Sequence, residues 1–404
     1  MISAILAIAI GQYPMKISVL ELPDPGAETV AIHAYLWRDQ NLTQEEDAWR
    51  VICDTIGINS TTYAADEVSF FGGTTGVLPR VVSAPDFLRL EVVSTPEKWR
   101  ESVALAASLV AQPNWRSNQW EEREKVLRGS VDDPWKFALW PKRPWSSEAL
   151  QVDEPSSVHS RLLDKGGLRI VVSGPIEQGL VKEELDRVTR TWAIPEYRKV
   201  SRFAEETAAP ERQPYGVSTF EMTGRPIRIG ENGSGAQFLA AIALGVGKGA
   251  SIWQTVRERD GLAYRVEGVF WPSRSGFVPR FLMLRKSEEA ELKFGGDLIA
   301  ALKESASSLD VVEFSRAKVM AEQVLMHPNA FASVYVDGES PLFGLPHDDV
   351  RWRGLLNGMG LPSLPLARWS ETLNEVSLDD FRSAAVEMVD RAEIRITRGY
   401  SGLD

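Results

Sequence analysis

The 404-residue chain carries 45 Lys and Arg against 56 Asp and Glu, a formal net charge of -11, with 44% hydrophobic and 25% charged residues. That balance belongs to a folded globular protein too long for one comfortable core, so two domains of about 200 residues are expected. The acidity excludes an extended nucleic-acid-binding surface, which needs clustered Lys and Arg, and a lone Cys53 excludes an internal disulfide.

The apolar run Met1 to Gly11 has no basic flank and is shorter than the roughly 20 residues that span a bilayer. It is expected to be a buried first strand, with a truncated export signal as the alternative, and no transmembrane segment is expected. Residues 16–22 and 29–37 alternate or run apolar on either side of Pro23-Asp-Pro-Gly-Ala-Glu28, the pattern of neighbouring strands joined by a turn. A helix is expected over 44–56, and Cys53 inside its apolar run reads as an inert core thiol. Strand character returns at Glu91 to Ser94. A helix over 96–110 follows, with Pro96 in its first turn, Glu97 near its positive end and apolar residues at spacings of three and four. A short helix is expected over 120–127, a strand over 167–175 and a helix over 181–192. Residues 203–214 carry two prolines and no sustained apolar period, the composition of an interdomain linker.

The second half repeats the scheme. A strand over 218–229 leads to a helix over 236–244, with Ser234 as its expected N-cap. A short helix over 251–258 precedes a strand over 263–270 and its hairpin partner over 277–284. Helices over 288–307 and 311–323 and a late strand over 392–397 complete the chain. Strand pairs with long helices, occurring twice, predict an α+β protein of two homologous α/β sandwich domains, residues 1–205 and 206–404.

Three motif readings fail on spacing. Gly245-Val-Gly-Lys-Gly249 is no phosphate loop, because Ile242 stands where the first glycine belongs and Gly249 where Ser or Thr must follow the lysine. Asn232 and Ala236 replace the outer glycines of a nucleophile elbow around Ser234. A helical zinc motif needs two imidazoles one turn apart, and His33, His159, His327 and His347 offer no such pair. In their place Glu45, Glu46 and Asp47 supply oxygens without imidazole, an acidic helix start rather than a metal site. The 13 tryptophans include Trp115, Trp120, Trp135, Trp140 and Trp145, a cluster suited to an interface or to core packing.

One segment carries a positive signal. A helix ends at the turn of Gly245, Gly247 and Gly249. A short helix then runs into Arg257-Glu-Arg-Asp-Gly-Leu-Ala-Tyr264, where Gly261 can take the left-handed conformation that stops it. Arg257 offers fork donors to peptide carbonyls, and the Tyr264 phenol can donate to an oxygen that becomes negative during amide hydrolysis. A local salt bridge of Arg257 to Glu258 or Asp260 is the simpler alternative.

From Phe238 to Phe270 this pattern resembles the processing-peptidase branch of the pitrilysin, or insulinase, zinc peptidases. A looser likeness runs through Tyr63 to Phe70 and Ile170 to Pro175. The resemblance implies a metallopeptidase-like fold forming a half-shell. It also implies that Arg257 and Tyr264 bind the substrate peptide and steady the tetrahedral intermediate. No residue matches a zinc ligand or the general base. The chain thus resembles the non-catalytic subunit of such an enzyme, with no cofactor of its own and zinc expected in a homologous partner subunit. The implied setting is a soluble bacterial protein, cytoplasmic or periplasmic; a catalytically dead scaffold or peptide-binding protein is the alternative.

Overall fold

In the computed structural model of the chain, the described residues are 17–38, 46–75, 78–83, 86–115, 153–190, 192, 212–213, 217–263, 265–286, 291–326 and 348–399. The apolar segment 1–11, the expected helix over 120–127, Trp120, Trp135, Trp140, Trp145 and most of the linker lie outside them.

Two five-stranded sheets organise the described residues. The first is ordered β1 (Ser18–Pro23), β5 (Leu168–Gly174), β2 (Val30–Trp37), β4 (Phe87–Ser94) and β3 (Arg80–Ser83). The second is ordered β6 (Arg212–Gln213), β10 (Glu393–Gly399), β7 (Val217–Thr223), β9 (Gly276–Lys286) and β8 (Arg265–Ser273). Taken in chain order, the strands of each half occupy identical places. Each sheet pairs its first and last strands in parallel, β1 with β5 and β6 with β10, and the other pairs are antiparallel. The fold is therefore α+β and duplicated, as the repeated sequence pattern predicts.

Strand β2 lies at the centre of the first sheet and is buried along its whole length, which is why Val30 to Trp37 is apolar at nearly every position. Its alternation sends Val30, Ile32, Ala34 and Leu36 to one face. There they pack with Trp49 and Ile52 of α1 (Glu46–Thr55), Val103 and Leu109 of α3 (Trp99–Ala111) and Leu162 of α4 (Asp153–Asp164). Cys53 is buried in the same cluster, the inert setting its neighbours imply. Between α1 and α3 lies α2 (Ala65–Thr75), and α5 (Leu180–Thr189) follows β5.

The other face of β2 is covered from the second half. Ala31, Tyr35, Trp37 and Phe87 join a core cluster with Phe277, Trp352 and Leu356. The covering element is α9 (Asp348–Gly358), which packs on β2 and β5. Close approach is possible because α9 turns glycine towards the sheet. A Cβ at Gly354 would lie 2.7 Å from the Tyr35 hydroxyl, and one at Gly358 would lie 2.0 Å from the Trp37 indole. Trp352 of the same helix stacks on Phe277, with ring centroids 5.5 Å apart. Several of the tryptophans are thus core residues: Trp37, Trp49, Trp352 and Trp369 are all fully buried.

Charge is buried in the same layer. Arg351 of α9 forks onto Glu91 of β4, Nε to Oε1 at 2.9 Å and Nη2 to Oε2 at 3.0 Å. Arg89 reaches Glu91 Oε1 at 2.8 Å, and the Tyr35 hydroxyl donates to the Arg351 carbonyl at 3.2 Å. His33 stands directly opposite Glu91 across the β2–β4 pair and is itself buried. Burial alone would raise the Glu91 pKa, but Arg89, His33 and Arg351 hold it well below the usual carboxylate range.

Several local expectations need correction. The strand expected to reach residue 229 ends at Thr223, where Gly224 turns to donate its N–H to Pro279, and Ile227 rejoins only through an isolated bridge to Phe277. The helix expected from 96 begins at Trp99, because Thr95 to Lys98 close a turn of their own. Ser234 does not cap its helix: Gly233, with φ +79°, is the N-cap, and the buried Ser234 hydroxyl has no hydrogen-bond partner. Arg212 and Gln213, expected at the end of the linker, form β6 instead. No helix among the described residues is long and apolar enough to cross a membrane.

Candidate functional site

The segment that carries the sequence signal starts from α6 (Ser234–Gly245), which is buried at nearly every position and packs beneath β8. Gly245 ends it by necessity of space. A Cβ there would lie 2.3 Å from the Phe281 ring and 2.9 Å from the Gly268 backbone. The orphan carbonyls of the last turn are taken by Arg316 of α8 (Val311–Met326), which donates to Ala243 O at 3.0 Å and Val246 O at 3.3 Å. Gly247 turns the chain with φ +79°. Gly249 needs no special conformation and sits against the Arg316 side chain. Ser251 then ties the turn to α7 (Glu291–Ser307) through Ser305 O at 3.1 Å.

The short helix expected over 251–258 is a π-helix over Trp253–Arg259. Its wide turn closes with Asp260 N–H donating to Thr255 O at 3.0 Å, the i to i+5 bond that recurs at functional sites. Thr255 and Val256 face inward, while Arg257, Glu258 and Arg259 face outward. Gly261, with φ +59°, ends the turn, and Leu262 N–H returns to Val256 O at 2.8 Å. Buried Ala263 then leads towards β8. Tyr264 lies outside the described residues.

Arg257 and Arg259 are held in different ways. Arg259 is locked between Asp260 at 2.7 Å and Glu304 at 2.5 and 2.8 Å. Arg257 lies over the Trp253 ring, 4.4 Å from its centroid, with its side chain 40% exposed. Glu258 stands 3.7 Å from its Nε, beyond hydrogen-bond reach, because Glu258 accepts from the Trp253 indole N–H at 3.1 Å. Among the described residues no hydrogen bond engages the Arg257 guanidinium. The local salt bridge weighed for Arg257 is thus present as a long contact to Glu258, the close pair with Asp260 is made by Arg259, and the Arg257 guanidinium lies over an aromatic platform. Trp253, four positions before Arg257 on the same helical face, is the partner that sequence reasoning missed. Its spacing was the available signal.

No group of three or more His, Cys, Asp or Glu side chains among the described residues could hold a metal ion. The helix after β2 is α1, which contains no histidine. His33 is buried in the Glu91 layer. His159 on α4 is buried with Nε2 donating to Val110 O at 2.7 Å and Trp115 packed edge-on at 5.4 Å. Burial pushes the His159 pKa down to about 4, offset only in part by that bond. His327 and His347 lie outside the described residues.

Solved structures share this architecture across nearly the whole chain. The peptidase M16 inactive domain from Pseudomonas fluorescens is 14% identical and superposes with a TM-score of 0.67, covering 96% of this chain and 97% of that one. A protease from Helicobacter pylori is 9% identical with a TM-score of 0.69, at the same coverage of 96% and 97%. The first half of the periplasmic protease PqqL from Escherichia coli is 9% identical with a TM-score of 0.55, covering 97% of this chain and 92% of that one. No family model matches the sequence, and no curated protein matches it either. The chain has the pitrilysin-type, M16 peptidase fold, the architecture its sequence resembles.

Proposed function

We propose that the chain is the non-catalytic, substrate-binding subunit of a heteromeric zinc peptidase, supplying Arg257 and Tyr264 beside the zinc site of a homologous partner. The observation that carries this reading is the Arg257 guanidinium, part-exposed over Trp253 and held only by a long 3.7 Å contact to Glu258, while the neighbouring Arg259 is closely paired with Asp260 and Glu304. The helix that resembles the metal-binding position lacks imidazole, and one solved structure of this fold is described as an inactive domain. Both support a chain that binds rather than cleaves. Arg257 and Tyr264 would orient a peptide carbonyl and donate to its oxygen as negative charge develops. The partner's zinc would supply the activated water.

The test requires the partner, expected as a similar chain bearing H-x-x-E-H. In the reconstituted pair, Arg257→Ala or Tyr264→Phe should lower turnover about a hundredfold, the cost of one lost oxyanion donor, with unchanged melting temperature. Turnover unchanged in both variants, normalised to complex concentration, would remove the pair from the mechanism and favour the scaffold reading.

A further inference from the structure

The two halves touch at a second point beside the Glu91 layer, and there the charges do not balance. Trp37 ends β2, with its N–H donated to Gly167 O at 3.1 Å and its indole covered by Gly358 at the end of α9. Arg169 of β5, opposite Tyr35 in the β2–β5 register, reaches the same end of α9. Its Nη1 donates to Asn357 O at 2.8 Å and to Asn357 Oδ1 at 3.0 Å. Arg274, at the tip of the β8–β9 hairpin, approaches from the other half and donates Nη2 to Trp37 O at 3.2 Å. Two guanidinium groups from opposite halves therefore converge around one tryptophan.

Every one of those acceptors is neutral. Neither arginine has a carboxylate partner among the described residues, and the Arg274 Nε is buried with no partner at all. A neighbouring arginine is matched. Arg228, which donates to Ser275 O at 3.2 Å beside the same hairpin tip, is neutralised by Glu231 at 2.6 Å. Burial, followed by the Arg274 charge, lowers the Arg169 pKa, so the two cations sense each other. The negative end of α9 offsets part of that repulsion but leaves several N–H donors unused. Half-buried like charges are costly unless a counter-charge completes them, and guanidinium forks match the oxygens of carboxylate and phosphate.

We propose that Arg169 and Arg274 form a binding site for a small oxyanion, a phosphate or a carboxylate, that bridges the two halves of the chain. The full chain is titrated with sodium phosphate and with sodium acetate, against chloride at matched ionic strength, by calorimetry and thermal unfolding. Saturable one-site binding with a rising melting temperature is expected. In Arg169→Gln and Arg274→Gln the dissociation constant should weaken about 10- to 100-fold, the loss of a charge-assisted hydrogen bond. Arg228→Gln should bind as the wild type does. Tighter phosphate identifies a phosphoryl ligand, and tighter acetate a carboxylate such as a peptide C-terminus. Because Arg274 sits on a hairpin tip, its variant carries the test if Arg169→Gln fails to fold. Absence of binding by both ions overturns the proposal. So does a non-saturating rise that is equal in all variants, the general effect of an excluded salt.

Discussion

Glu91→Ala is expected to be among the most damaging single substitutions in the first sheet. Glu91 is the acid of a buried layer in which Arg89 is 2% and Arg351 1% exposed. Its removal takes from two buried guanidinium groups the carboxylate that both of them pair with. Breaking a buried pair in this way costs about 3–5 kcal/mol. At about 2–4 °C per kcal/mol for a domain of 150–250 residues, the melting temperature should fall by about 6–20 °C. The loss should concentrate where α9 rests on β2, read as faster hydrogen exchange in Val30 to Trp37 and Asp348 to Gly358. The triple variant Arg89→Met, Glu91→Leu, Arg351→Met should recover most of the loss, because apolar side chains of similar volume need no neutralisation. The pH dependence has a definite sign. The folded Glu91 pKa is depressed, so its contribution is complete above the unfolded value of about 4.3 and is lost as pH falls below it. Calorimetry and circular dichroism in denaturant measure each quantity. A Glu91→Ala loss below about 1 kcal/mol, within the range of exposed pairs, would refute the claim that this layer joins the halves.

Other expectations follow from single positions. His159, pushed down to about 4 by burial, binds protons less readily folded than unfolded, so it contributes stability above pH 6.5 that declines towards pH 4. The wild type should lose about 3 kcal/mol more over that window than His159→Gln, and parallel pH profiles would contradict this. Gly358→Ala should cost about 1–3 kcal/mol by forcing α9 off Trp37, seen as a lower denaturation midpoint; no change would mean that α9 is free to shift. The isolated chain, equilibrated with zinc and desalted, should carry no stoichiometric metal and should not cleave mixed peptides. One tightly held zinc with chelator-sensitive cleavage would place the missing ligands among residues such as His327 and His347.

Much of this protein is legible along the chain because its determinants are local. The apolar run of β2, the turn at Pro23 to Glu28, the Gly247 and Gly261 turns and the lack of paired imidazoles depend on residues within one or two helical turns of each other. Both sheets follow from such segments, since strand periodicity and turn chemistry are properties of near neighbours. Tertiary structure decided the rest. Arg351 and Glu91 lie 260 positions apart, Arg274 and Trp37 lie 237 apart, and no periodicity announces either meeting. Ser234 shows the same limit at short range: its residue type suits a cap, but packing turned it inward and gave the cap to Gly233. Arg257 lies between the two. Its sequence placed it at the end of a short helix with acidic neighbours. Only the π-turn, which hands Glu258 to the Trp253 indole and Asp260 to Arg259, decided that its guanidinium would keep no closer partner than Glu258 at 3.7 Å. Contacts of this kind depend on which surfaces meet when the two halves pack, and that is a property of the folded chain rather than of any segment within it.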